Sequence, residues 1–145
     1  MSVDSISPDH FRGCKLALIH NHNILVYKRD NRDDIPFPNM WDLPGGGREG
    51  NESPEACVLR ELIEEFGIAL AVSDLGYRQR YKLNHLGGYA YFFAAQLRQQ
   101  DIDNISFGDE GQYWQLMDIS SYLAHPDVIA QHKVRLLDYL KVHTS

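Results

Sequence analysis

The stretch GGREGNESPEACVLRELIEEFGI, residues 46–68, decides the fold of this chain because it predicts a glycine-rich loop that leads into one helix. Ser53 is a favourable N-cap, Pro54 suits the first helical position, and Gly67 suits the position just past the last turn. Apolar residues recur between them at spacings of three and four, which predicts a core-facing stripe of Ala56, Leu59, Leu62, Ile63 and Phe66.

The same predicted helix carries three carboxylates that crowd into one patch. Glu61 lies one turn from both Glu64 and Glu65, and like charges at that spacing repel each other. One interpretation is a solvated acidic face. The other is a site for Mg2+ or Mn2+, hard cations that prefer carboxylate oxygen and keep positions open for substrate phosphates. Glu52 and Arg60 favour the metal site, because a solvated face needs neither of them.

The fixed positions of this stretch resemble the Nudix box, G-x5-E-x7-R-E-U-x-E-E-x-G-U, in which U is a bulky aliphatic residue. The matching residues are Gly46, Glu52, Arg60, Glu61, Leu62, Glu64, Glu65, Gly67 and Ile68. The chain is therefore similar to MutT-type Nudix hydrolases, which use a divalent metal to cleave diphosphate linkages. The resemblance covers roughly residues 11–140, and it implies an α/β fold, an α/β/α sandwich around a mixed central sheet.

The resemblance also assigns roles within the box. It implies that Glu61, Glu64 and Glu65 face Mg2+ or Mn2+, and that Glu52 and Arg60 brace them through hydrogen bonds and a salt bridge. The general base varies across the family, so Glu61 is the first candidate and Glu64 or Glu65 are the alternatives.

Two segments outside the box are implied to reach the metal. The resemblance suggests that a carbonyl of the preceding glycine run, that of Gly45, faces the ion. Asp109-Glu110-Gly111-Gln112, followed by Tyr113-Trp114, resembles a Glu-Gly-Gln…Trp segment of MutT-type relatives. Glu110 is the natural further ligand and Asp109 the next, although a solvated turn before a strand is the alternative.

Four residues are candidates for contacting the substrate. Lys28 and Arg29 end a predicted strand where MutT-type relatives carry a basic residue that touches phosphate, and Arg29 is the better match. Trp41 could stack on a base, although aromatic residues are equally common in cores. His125 stands where relatives that destroy oxidised guanine nucleotides have an asparagine, and its different donor and acceptor arrangement argues against a preference for 8-oxo-dGTP.

The implied reaction is metal-dependent hydrolysis of a diphosphate linkage in a nucleoside triphosphate or a related nucleotide derivative. Hydrolysis of a nucleotide-sugar or a dinucleotide is one alternative. A nucleotide-binding regulatory module without turnover is another, but such a module would not need the complete carboxylate set.

Length and composition limit the other possibilities. The 145 residues suit one domain, for which we predict a short tail over residues 1–10 and a Nudix domain over residues 11–145. The net charge of -6 disfavours nucleic-acid binding. Neither a membrane-spanning stretch nor a signal peptide is evident, so we expect a cytoplasmic monomer or homodimer. Cys14 and Cys57 give no disulfide framework and no metal-binding spacing.

Alternating and continuous apolar runs predict the remaining elements. The polar, proline-containing stretch 30–40 is a predicted loop, and a turn at His20–Asn23 predicts a hairpin. The predicted strands are 13–19, 24–29, 75–83, 89–97 and 113–117, and a terminal helix is predicted over 127–140.

Overall fold

A mixed β-sheet lies between two layers of helices in the computed structural model, which describes residues 10–84 and 87–143. The strands are β1 Phe11–His20, β2 Asn23–Lys28, β3 Trp41–Asp42, β4 Gly45–Gly47, β5 Tyr77–Lys82, β6 Tyr89–Gln96 and β7 Tyr113–Asp118. The helices are α1 Pro54–Phe66, α2 Gln99–Asp103, α3 Ile119–Ala124 and α4 Ala130–His143, and a 3-10 turn spans Val72–Asp74.

Strand β1 lies at the centre of this sheet. It pairs antiparallel with β2, parallel with β6, and antiparallel with the short β4 near its own start. Strand β2 continues the sheet to β3 and β7, and β5 pairs with β6. This arrangement brings β4, which leads into the box helix, against the middle of the sheet.

The two faces of the sheet carry separate cores because side chains alternate along a strand. Leu16 and Leu18 of β1 pack on the α1 face, whereas Ala17 and Ile19 pack on the face covered by α3 and α4. The predicted sandwich with helices on both sides is therefore confirmed. Strand β6 is buried on both faces, which explains its nearly continuous apolar sequence.

Helix α1 begins and ends where the sequence predicts. Ser53 Oγ accepts a hydrogen bond from the Ala56 N–H at 3.1 Å, and Gly67 takes a left-handed φ of 67° just past the last turn. The predicted core stripe is partly wrong, because Ile63 is 54% exposed and Ala56 is also exposed. The face that meets the sheet instead carries Pro54, Cys57, Val58, Leu62 and Phe66.

The other predicted elements are present with shifted ends, and several short ones were missed. The β1–β2 hairpin closes on the His20–Asn23 pair, and α4 begins at Ala130 rather than at residue 127. Strands β3 and β4 and helices α2 and α3 were not predicted. Residues 1–9 of the predicted tail lie outside the described residues.

Across residues 10–84 and 87–143, none of the helices is both long enough and apolar enough to cross a bilayer.

Candidate active site

Two glycines before the box helix, Gly45 and Gly46, pack too closely on their neighbours to carry side chains. A Cβ added at Gly45, where φ is 132°, would lie 2.8 Å from the Lys15 Cα and closer still to the Cys14 carbonyl oxygen. A Cβ added at Gly46 would lie 2.7 Å from the Glu61 carboxyl carbon. Glycine at these positions lets β4 approach both β1 and the box helix.

Arg60 connects the loop before the helix to the carboxylates on the helix. Its Nε donates to Glu52 Oε2 at 2.6 Å, and its Nη1 donates to Glu61 Oε2 at 3.3 Å and to Glu64 Oε1 at 3.0 Å. Its Nη2 also donates to the Gly47 carbonyl at 2.9 Å. The hydrogen bond from Arg60 lowers the pKa of Glu52 and raises the pKa of the guanidinium. One positive side chain thus offsets the repulsion within the acidic patch.

Glu61 and Glu65 are the two box carboxylates that face the interior. The Glu61 side chain is 13% exposed, and Glu65 Oε1 accepts the Gly45 N–H at 2.8 Å. Burial raises the pKa of Glu65 to about 8 and also raises the pKa of Glu61. Such carboxylates bind a proton readily, and a cation close by would favour their ionised form.

A cavity of about 360 Å³ gathers groups of both charges around these carboxylates. Among the residues predicted from sequence, it is lined by Gly45, Glu61, Glu65, Glu110 and Arg29, together with Asp109. Other lining residues were missed by the sequence analysis: Lys15, Tyr27, Asp30, Arg32 and Ile35. The sequence held one signal for Lys15, which is its place among the apolar residues of β1. A lysine within an apolar strand needs a polar partner.

That partner is Asp42, which is 1% exposed and lies behind the cavity wall. Lys15 Nζ is 3.0 Å and Arg29 Nη1 is 2.9 Å from Asp42 Oδ2, while His132 Nε2 is 3.0 Å from Oδ1. Burial opposes ionisation of Asp42, but Lys15 and His132 outweigh it and hold the pKa of the carboxyl well below its usual range. Asp42 and His132 were not singled out from the sequence.

Three predicted substrate residues lie outside the cavity lining. Trp41 is 6% exposed, it packs edge-on against Tyr113, and its ring lies under the Lys28 ammonium at 4.9 Å. Little of this ring is exposed in the structure, and its role as a stacking partner for a base stays a prediction. His125 contacts the edge of the same ring, with centroids 6.4 Å apart. Contact of Lys28 and His125 with substrate stays a prediction.

The two cysteines meet although their spacing suggests no relationship. Cys14 Sγ of β1 and Cys57 Sγ of α1 are 3.2 Å apart, and both thiols are buried and free. Both also lie within 3.9 Å of the Gly46 carbonyl oxygen. They form a small contact between the central strand and the box helix, just beneath the glycine run.

A model of the NUDIX domain matches residues 12–139, which is most of the chain. The chain belongs to the Nudix family. Its members hydrolyse diphosphate bonds, and the complete box places this protein among those enzymes.

The names of the relatives of this Nudix protein describe different substrates. It is 24% identical over 121 residues to diphosphoinositol polyphosphate phosphohydrolase 3-alpha of Mus musculus, an alignment that covers 77% of this chain and 74% of the relative. It is 40% identical over 68 residues to a putative 8-oxo-dGTP diphosphatase of Bacillus subtilis, covering 46% and 42% of the two chains. The MutT protein of Methanosarcina mazei Go1 shares the fold, with a TM-score of 0.72, 18% identity, and coverage of 92% and 94%.

The donor chemistry of the Nudix site fits a hard divalent cation, although its side chains are engaged with protein groups. Within residues 10–84 and 87–143, no three His, Cys, Asp or Glu side chains converge as a ligand set. Glu61 and Glu64 are held by Arg60, and Glu65 is held by the Gly45 N–H. The cavity nevertheless offers carboxylate and carbonyl oxygens, which are the ligands that Mg2+ and Mn2+ prefer.

Proposed function

We propose that this Nudix protein is a Mg2+-dependent pyrophosphohydrolase that cleaves the diphosphate linkage of a nucleoside triphosphate or a related nucleotide derivative. The observation that carries the proposal is the composition of one cavity, where Glu61 and Glu65 share the lining with Arg29. Carboxylates suit a hard cation and a guanidinium suits phosphate, so both parts of a metal–diphosphate complex have matching groups.

The residues that would hold Mg2+ are Glu61, Glu65 and the Gly45 carbonyl, with Glu110 from the loop before β7. Glu64 would join them on release from Arg60, since its side chain is 56% exposed and free to turn. Mn2+ has similar ligand preferences and is the natural substitute. When bound, such an ion neutralises phosphate charge and helps to generate hydroxide from water.

Glu61 is our first choice as the group that accepts the proton of the attacking water, with Glu64 and Glu65 as alternatives. Burial raises its pKa, which makes it a stronger base than an exposed glutamate, and Arg60 and Gly46 fix its orientation. The water oxygen bonds to phosphorus, and the bridging P–O bond breaks with its electron pair on the departing phosphate. A nucleoside triphosphate gives a nucleoside monophosphate and pyrophosphate, and a nucleoside diphosphate gives a nucleoside monophosphate and phosphate.

The preference for nucleotides rests on the MutT-like segments around the box. Arg29 supports it by lining the cavity with a guanidinium that can donate to a phosphate oxygen. The named relatives act on a diphosphoinositol polyphosphate or on 8-oxo-dGTP, which share a phosphoanhydride and little else.

The test is turnover on a substrate panel with Mg2+ or Mn2+, against an EDTA control. The panel holds canonical and oxidised deoxynucleoside triphosphates, ADP-ribose, NADH, diadenosine polyphosphates, GDP-sugars and a diphosphoinositol polyphosphate. We expect metal-dependent release of phosphate or pyrophosphate from nucleoside triphosphates. Turnover confined to nucleotide-sugars or dinucleotides would replace the substrate class. Nucleotide binding in calorimetry without turnover of any compound would contradict the hydrolase and favour a binding module.

A further inference from the structure

Asp42 is a buried carboxylate with an unusual number of donors. Five groups in the described residues donate to it: Lys15 Nζ at 3.0 Å, Tyr27 Oη at 3.2 Å, Arg29 Nη1 at 2.9 Å, the Leu43 N–H at 2.7 Å and His132 Nε2 at 3.0 Å. A buried charge persists only where such partners replace its lost hydration. The position of Asp42 is therefore fixed by contacts on several sides.

The two oxygens of Asp42 have different partners. Oδ1 is held from the core side by the Leu43 N–H and by His132, which is 3% exposed on α4. Oδ2 is left to Lys15 and Arg29, which both line the cavity, and to a tyrosine hydroxyl. The core thus aims one carboxylate oxygen at two cations on the cavity wall.

Arg29 keeps donors available after it has bound Asp42. Its Nη1 is used by Asp42, and its Nε donates to the Pro36 carbonyl at 3.0 Å. Its Nη2 has no hydrogen-bond acceptor within residues 10–84 and 87–143. A guanidinium fixed at two points with one amino group unused is suited to an anion in the cavity.

Lys15 performs a different task because its three protons already have acceptors. Its ammonium donates to Asp42 Oδ2 at 3.0 Å, to the Leu43 carbonyl at 3.1 Å and to the Gly45 carbonyl at 3.2 Å. Glu65 accepts the N–H of the same glycine at 2.8 Å. Both polar groups of Gly45 are therefore held, and its carbonyl is held through Lys15 by Asp42.

From these contacts we propose that Asp42 is a positioning residue that couples the two halves of the site. It orients Arg29 for a substrate phosphate and, through Lys15, orients the Gly45 carbonyl for the metal ion. This inference rests on the proposed function, since it assigns a phosphate and a metal to the same cavity. Asp42 itself contacts neither of them.

Asp42→Asn tests the Arg29 half of the proposal, and Lys15→Met tests the Lys15 half. In each variant the change of charge and the loss of positioning should alter the binding affinity in opposite directions. Asp42→Asn makes the cavity wall more positive, which by charge alone strengthens the binding of an anion. Loss of the Arg29 anchor weakens it instead. Lys15→Met removes a positive charge, which by charge alone strengthens the binding of Mn2+. Loss of the Gly45 anchor weakens it. The sign of each change therefore separates positioning from simple electrostatics.

The probes are inorganic pyrophosphate in EDTA, followed by calorimetry, and Mn2+ alone, followed by electron paramagnetic resonance. We expect Asp42→Asn to weaken pyrophosphate binding and Lys15→Met to weaken Mn2+ binding, each by about tenfold. Tenfold is the lower end of the range of about 10–100-fold that is typical for loss of a residue that orients a metal ligand. Lys82→Gln, on the exposed edge strand β5, removes a lysine of equal charge and should leave both affinities unchanged.

Unchanged or tighter pyrophosphate binding by Asp42→Asn would overturn the Arg29 half of the proposal. Unchanged or tighter Mn2+ binding by Lys15→Met would overturn the Lys15 half. Should Asp42→Asn fail to fold, Arg29→Lys replaces it, because an ammonium cannot reach Asp42 and the anion together and should weaken pyrophosphate binding to the same degree. Both probes are measured without turnover, so a protein that binds them but hydrolyses no substrate contradicts only the proposed function.

Discussion

Arg60 Nε lies 2.6 Å from Glu52 Oε2, and the opposite end of the same guanidinium reaches Glu61 and Glu64. The contact joins the loop before α1 to the acidic face of the helix. Because the arginine is planar and forked, it can hold carboxylates on two sides at once. The geometry of the acidic patch therefore depends on one side chain that carries the opposite charge.

Arg60→Lys should lower kcat about 10–100-fold, the range typical for loss of a group that orients metal-binding residues. A lysine keeps the charge but cannot span Glu52 and Glu61 together. The thermal midpoint should change little, since Arg60 is partly exposed. Steady-state kinetics over a range of Mg2+ concentrations measures the effect. Arg98→Lys is the matched control, because Arg98 pairs with Asp101 and is not among the residues that line the cavity. A wild-type kcat for Arg60→Lys would contradict the bracing role.

Glu61→Gln should lower kcat by at least about 100-fold, because an amide neither accepts the proton of water nor binds a hard cation well. Glu64→Gln should also reduce turnover, and the double variant should show none above the EDTA background. Circular dichroism and thermal unfolding should remain close to wild type, as the substitution keeps the shape of the side chain. Full activity in the double variant would remove the proposed mechanism.

The buried carboxyl of Glu65 predicts a pH dependence of stability in EDTA. Its pKa is raised from 4.5 to about 8, so the folded state holds a proton that the unfolded state releases. The resulting stabilisation is complete below pH 4.5 and is lost as the pH rises through about 8. Urea unfolding between pH 5 and about pH 9 should show a steeper loss of stability for wild type than for Glu65→Gln. Parallel curves for the two proteins would show that Glu65 is not protonated in the fold.

Gly46→Ala should damage the site more than the fold. The new Cβ would lie 2.7 Å from the Glu61 carboxyl carbon, so this side chain must move away from the glycine run. We expect a loss of turnover above tenfold with about 1–3 kcal/mol of destabilisation, which is typical of overpacking. Gly76→Ala is the control, because nothing lies within 4 Å of a Cβ at that position. Equal activities of the two variants would argue against a fixed Glu61.

The box helix could be predicted because its signals are local. Ser53, Pro54 and Gly67 mark its ends without reference to the rest of the chain, and the structure agrees with them. The direction of its buried face is not local, since it depends on where β1 and β4 lie. For that reason Ile63 was assigned to the core although it is exposed, and Cys57 was not recognised as the partner of Cys14.

The cavity wall could not be predicted because it depends on pairings that are distant in sequence. Lys15 of β1 meets Asp42 of β3 because both strands pair with β2, and His132 reaches the same carboxylate from α4. The burial of Trp41 could not be predicted for a related reason. Its backbone pairs with residues before α4, and this contact draws the ring into the core.

The pairing of β1 also determines how the cavity responds to thermal opening. The Lys15 backbone is paired with Gly45 on one side and with Phe92 on the other, so it can exchange its amide with solvent only when the sheet itself opens. A second part of the lining, Arg32 and Ile35, belongs to a loop whose ends are joined by the backbone hydrogen bonds from Arg29 to Met40 and from Asn39 to Asp30. In deuterated buffer the backbone amide of Lys15 should therefore exchange slowly, whereas the amides of Arg32 and Ile35 should exchange within the dead time of the measurement.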